Sequence, residues 1–126
     1  MSLIGFYLMP HPPIIIPEVG RGEEEKISAT SDSMHRVGRE IAEKAPDTII
    51  LITPHGPMFR DAVAISMGDS IGGSLRQFNA GSVSMDIPID TALTSKIFEM
   101  SQGESIPAVS LTPKLLKRYD AEFTLD

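Results

Sequence analysis

Two of the three histidines, His11 and His55, sit just past strongly apolar runs and are bracketed by proline. The first run reads Phe6-Tyr7-Leu8-Met9-Pro10-His11-Pro12-Pro13, and the second Ile49-Ile50-Leu51-Ile52-Thr53-Pro54-His55-Gly56-Pro57. Proline cannot donate to a β ladder, so an apolar run closed by proline reads as a buried strand leaving its sheet. Both imidazoles are then expected at the carboxyl ends of strands, the edge where α/β sheets bind ligands. Two imidazoles on one edge amount to half of a metal site. The plainer alternative is a pair of strand-end histidines bonded to nearby backbone, and spacing alone does not separate the two.

The remaining polar candidates carry less. His35 follows Met34, off the apolar stripe of its helix, and reads as a solvated histidine within reach of Asp32 one turn earlier. Arg60 and Asp61, soon after His55, are candidates for orienting a substrate carboxylate or a ligand imidazole; an exposed turn pair explains them equally well. The glycine-rich run 68–74 lacks the Lys-Ser/Thr pair of a phosphate-binding loop and reads as a turn. Gly20-Arg21-Gly22 precedes three glutamates, which repel an anion. With no cysteine, thiol nucleophiles, thiolate metal sites and disulfides are excluded.

Strand and helix patterns alternate around these residues. Residues 3–9 read as a first buried strand and 10–22 as a long loop whose Ile14, Ile15 and Ile16 must pack on something. Glu23, Glu24 and Glu25 open a helix, since carboxylates are favoured beside the positive end of the helix dipole. Ile27, Met34, Val37 and Ile41 form its apolar stripe, and Ala45-Pro46-Asp47 ends it. Residues 48–53 read as a second, central strand. Strand, helix and strand compose a βαβ unit with His11 and His55 on one edge.

Beyond it, residues 62–67 read as a strand, 83–89 as a weaker extended segment, and 90–101 as a helix capped by Asp90. Leu93, Ile97 and Met100 supply that helix's stripe and Gly103 its stop. Residues 106–111 read as another strand and 114–119 as a helical turn. The fold class expected is α/β, a mostly parallel or mixed sheet with helices on its faces in three layers.

The 126 residues make one domain's worth of chain, and 17 acidic against 11 basic residues give a net charge of −6. That balance argues against a nucleic-acid or anionic-membrane surface. No apolar stretch approaches the ~20 residues of a membrane helix, and no basic start leads into a signal core. A cytoplasmic setting is expected.

Taken together, Met9-Pro10-His11-Pro12-Pro13, the strand lead-in Pro46-Asp47-Thr48-Ile49-Ile50 and Thr53-Pro54-His55-Gly56 resemble the class III extradiol ring-cleavage dioxygenase family. The likeness is greatest to its relatives in the AmmeMemoRadiSam gene system, which include Memo-like proteins. It runs along the whole chain, which corresponds to the N-terminal portion of such a domain, so the fold is expected to be incomplete. The resemblance implies that His11 and His55 are the two iron-binding imidazoles. The family adds a glutamate much later in its chain and a further histidine as acid/base, and neither has a counterpart here. Leu125-Asp126 matches a family motif that continues directly into a histidine and a glycine.

What the resemblance implies is an oxidoreductase: Fe(II) held by two imidazoles and one carboxylate, with open positions for a small catechol-type aromatic molecule and O₂. The alternative is a non-catalytic Memo-like binding or scaffold module using the same cleft. With two ligands present, this polypeptide is expected to lack ring-cleavage activity and to hold metal weakly. An apolar surface near residues 106–111 or Phe123 is expected to be exposed, or covered by the rest of the domain or a second copy of the chain.

Overall fold

The computed structural model describes residues 2–118, in two compact units. The first comprises Met1–Leu51 and Leu75–Val83, the second Ile52–Ser74 and Ser84–Asp126.

In the first unit, the loop after His11 is more ordered than its proline content suggests. A 3₁₀ turn at Pro13–Ile15 leads into a single helical turn, α1 (Pro17–Gly20). Proline's fixed φ suits both starts, where its missing N–H goes unneeded. Gly20 is buried, and a Cβ there would collide with the Ile14 carbonyl oxygen and the Glu24 carboxylate. The chain reverses through Arg21 and Gly22, both at positive φ (51° and 102°). Ile14, Ile15 and Ile16 are half-buried in this knot, as their apolarity requires.

The three glutamates open a 3₁₀ segment, Glu23–Ile27, tied by a Lys26–Glu23 ion pair. The α-helix proper, α2, spans Ser28–Lys44. Its half-buried positions, including Met34, Val37 and Ile41, recur at helical spacing. It stops where expected: Ala45 turns left-handed at φ 45°, its N–H reaches the Ile41 and Ala42 carbonyls, and Pro46 prevents continuation.

In the second unit, β1 (Val63–Ser66) pairs in parallel with β4 (Ala108–Leu111), Val63 opposite Ala108 and Ser66 opposite Leu111. A parallel pair needs a long crossover. Here it includes α3 (Thr91–Gly103), which touches both strands, and Leu111 at the end of β4 is 2% exposed. Asp90 caps α3 by accepting from the Leu93 N–H at 2.9 Å. A short α4 (Pro113–Arg118) follows. The remaining strands, β2 (Ser70–Leu75) and β3 (Ala80–Pro88), form a hairpin. The α/β class with mixed strand pairing therefore holds.

Three expectations fail. Residues 3–9 and 48–53 form no strand. Phe6, Leu8, Ile49 and Ile52 are instead 85%, 103%, 66% and 93% exposed. An apolar run states what a segment gains by burial; a ladder also needs a partner strand from distant sequence. The βαβ unit expected across α2 is accordingly absent among the described residues. Second, the glycine run bends only at residues 68–69, between β1 and β2: Gly72 lies inside β2, where a Cβ would stand 3.2 Å from the Met85 carbonyl. Glycine serves close cross-strand approach there, and the reversal comes later, at Arg76–Phe78 and left-handed Asn79. Third, the exposed apolar surface does not centre on 106–111. Ile106 is indeed 51% exposed, but β4 is covered by α3 and ends in buried Leu111, while the bare runs precede the two histidines. The expectation for Phe123 lies outside the described residues.

Candidate functional site

His11 belongs to the first unit and is exposed. Behind it the backbone is set by Pro12 and Pro13, whose carbonyls accept from the Ile15 and Ile16 N–H groups at 3.2 and 3.1 Å. Ahead of it, Tyr7 reaches the last turns of α2. Its hydroxyl donates to Glu40 Oε1 at 3.0 Å, and Lys44 Nζ donates to that hydroxyl at 3.0 Å and to Glu40 Oε1 at 2.8 Å. The Lys44 ammonium also stands 5.5 Å from the Tyr7 ring centroid, within cation–π range. The Lys44 and Tyr7 hydrogen bonds hold the Glu40 carboxyl below its ordinary pKa. The Glu40 carboxylate, then the Tyr7 hydroxyl, hold Lys44 above its own.

His55 belongs to the second unit and is half-buried, with its Nε2 atom shielded from solvent. Its turn is local. The His55 N–H donates to Thr53 Oγ1 at 3.3 Å, and Gly56 takes φ 102°, a conformation costly for any residue with a Cβ.

The other candidates are exposed. Arg60 and Asp61 are exposed in bends that lead into β1, as the turn-pair reading has it. His35 is exposed on α2. Reading residues 68–74 as a turn misses one pattern: Gly68-Asp69-Ser70-Ile71-Gly72 has the G-x-S-x-G spacing of a hydrolase nucleophile elbow. An elbow needs a sharp strand-to-helix turn; Ser70 instead begins β2 of a hairpin, so the spacing carries no such chemistry. Sequence reasoning also misses the Tyr7–Glu40–Lys44 cluster. The Glu40/Lys44 spacing signals a helical ion pair, but nothing local points to a tyrosine 33 residues away.

Neutral imidazoles are suitable iron donors, and His11 and His55 fit that part of the chemistry. The donor count does not fit: among the described residues no group of three or more His, Cys, Asp or Glu side chains is placed to hold a metal ion. These residues do not make a complete iron centre. No helix among them is long and apolar enough to cross a membrane.

Residues 5–124 match the family described as the catalytic LigB subunit of aromatic ring-opening dioxygenase. The chain belongs to that family, the class the sequence motifs resemble. Protein CA_C1420 of Clostridium acetobutylicum is 53% identical over 126 residues, covering 100% of this chain and 27% of that protein. The chain thus spans little more than a quarter of that relative's length. No solved structure matches the chain.

Proposed function

We propose that this chain is the N-terminal portion of a non-haem Fe(II) extradiol dioxygenase-like protein and supplies two metal ligands, His11 and His55. The observation that carries this is the family match over residues 5–124, which contains both proline-bracketed histidines in order. The substrate class is a small catechol-type aromatic opened by O₂, and the setting is a reducing cytoplasm. The third ligand and the proton-transferring histidine come from elsewhere in the whole protein, since a facial iron site takes three protein groups. Held by two imidazoles, iron binds weakly to this polypeptide, and the polypeptide alone turns over no catechol.

An anaerobic Fe(II) titration, followed by catechol and oxygen, tests both statements. The expected result is weak uptake, lost on replacing His11 and His55 together by alanine, with ring cleavage at background. In a whole protein of the relative's length, the same double replacement abolishes iron-dependent cleavage. Uptake that survives the double replacement refutes the ligand assignment. Iron-dependent turnover by the 126-residue chain refutes the statement that it is inactive. A whole protein that binds its ligands yet cleaves no catechol with iron supports the alternative, a binding module built on the same cleft.

A further inference from the structure

Residues 48–53 read Thr-Ile-Ile-Leu-Ile-Thr, a composition suited to a strand, yet they join none. Ile49, Ile50, Leu51 and Ile52 are 66%, 59%, 64% and 93% exposed. Strand side chains alternate, so four bare apolar residues in a row leave both faces of the run to be covered. Its ladder groups are open too, for no backbone group of these four bonds to a described residue. The other bare run, around Phe6 and Leu8, is less free to pair. Its Tyr7 is bonded to Glu40 and Lys44, and the Tyr7 ring crowds Gly5, where a Cβ would stand 2.9 Å from Cε2.

We propose that this run pairs antiparallel with the same run of a second copy of the chain, centred on Leu51. The segment complements itself. A two-fold axis through Leu51 sets Leu51 against its own counterpart, Ile50 against Ile52 and Ile49 against Thr53, so the apolar middle meets apolar side chains. Centring on Leu51 rather than Ile50 brings Ile52, the most exposed of the four, inside the pairing. Pro54, with no N–H, ends it. Charge permits the pairing and fixes its direction. From Thr48 to Phe59 there is no Asp, Glu, Lys or Arg, so neither strand carries a charge into it. The nearest charge is Asp47. A parallel pair in register would stack the two Asp47 carboxylates at roughly 5 Å, the spacing of neighbouring strands. The antiparallel pair sets them roughly 27 Å apart, eight residues of strand and well beyond the screening length. A single paired strand buries less than the ~1,200 Å² of a standard interface, so the dimer is weak and forms at high protein concentration. It needs no metal.

Sedimentation velocity on the full chain, up to about 1 mM, is expected to show a shift from monomer to dimer. Ile50→Lys should raise the dimer Kd at least roughly tenfold, because the axis carries both lysines into the pairing. Phe6→Lys, in the other bare run, should leave it unchanged. The imidazole NMR signals of His11, His35 and His55 monitor the fold in each variant. Cross-linking gives a second readout that needs no charged substitution. The chain has no cysteine, so an introduced thiol stands alone. With oxidised glutathione, Leu51→Cys should cross-link to itself, and Ile50→Cys only when mixed with Ile52→Cys, since a disulfide needs Cα atoms within about 7 Å. Ile50→Cys and Ile52→Cys each cross-linking alone as readily as Leu51→Cys would show a parallel pair and overturn the proposal. So would a dimer that survives Ile50→Lys, or one that Phe6→Lys abolishes. A chain that stays monomeric overturns it as well, and leaves the run to the rest of a protein of the relative's length.

Discussion

Around His11 the chain relies on contacts across sequence: a tyrosine bridged to α2 and a buried glycine that lets Ile14 close against α1. Around His55 it relies on one short turn, made by the Thr53 hydroxyl and a glycine at positive φ. Exposure follows the same division, for His11 is exposed while the Nε2 of His55 is shielded. Two histidines introduced by near-identical sequence, an apolar run and a proline, are therefore placed by different physics. A turn set by its own residues survives changes elsewhere. A segment set by an exposed hydrogen-bonded triangle answers to salt and pH, because such pairs are screened by solvent and ions.

The largest effect expected from a single substitution falls in the second unit. Leu111→Ala truncates the buried side chain that ends β4 and should cost about 2–5 kcal/mol. Urea unfolding should show the loss. Hydrogen exchange should show opening in β1, β4 and α3, with the Tyr7–Lys44 tie in the first unit intact. Equal opening in both units would erase the division between them.

A second pair of substitutions separates the two turns. Gly20→Ala drives a Cβ into the Ile14 carbonyl and should cost about 1–3 kcal/mol while disturbing the His11 signals. Gly56→Ala places a Cβ at φ 102°, should cost roughly 1–2 kcal/mol, and should move His55 alone. Crossed effects, with Gly20→Ala moving His55, would contradict the separation.

The tie at Tyr7 should respond to pH at both ends. Glu40 is held below its ordinary pKa, so its contribution is complete above the ordinary value and is lost as pH falls through the lowered one. Lys44 is held above its ordinary pKa, so its contribution is complete below the ordinary value and is lost as pH rises through the raised one. Carboxyl ¹³C titration of Glu40 should return toward the ordinary midpoint in Lys44→Met and at high salt. A midpoint indifferent to both would mean that the triangle does not persist in solution. The smallest effect belongs to His35→Ala. The residue is exposed on α2, so stability should stay within about 0.5 kcal/mol and metal uptake should not change.

Much of the helical architecture is legible in the chain because its causes are local. Met34, Val37 and Ile41 repeat at helical spacing, Ala45-Pro46 cannot continue a helix, and Asp90 is a cap placed to accept from Leu93. Strands 63–66 and 108–111 are also legible, as short apolar runs, but their pairing is not. Gly72 shows the limit of composition: the same residue type serves a turn or a close cross-strand approach, and the neighbour Met85 decides which. The histidine motifs are legible for a different reason. A rigid, proline-bracketed imidazole is a local arrangement, and together the two identify the family that the match over residues 5–124 shows.

By itself, then, the sequence determined where α2 and α3 run and where α2 stops, the absence of thiol chemistry, the acidic balance and the family. Tertiary structure alone decided which apolar runs joined a ladder: residues 63–66 and 108–111 pair in parallel, while 3–9 and 48–53 form no strand and are mostly exposed. It alone decided that Tyr7 meets Glu40 and Lys44, 33 and 37 residues away. Helix propensity and capping act within a few residues, so a linear reading captures them. Strand pairing and side-chain ties join distant parts of the chain, and their free energy exists only once loop closure has brought both partners together.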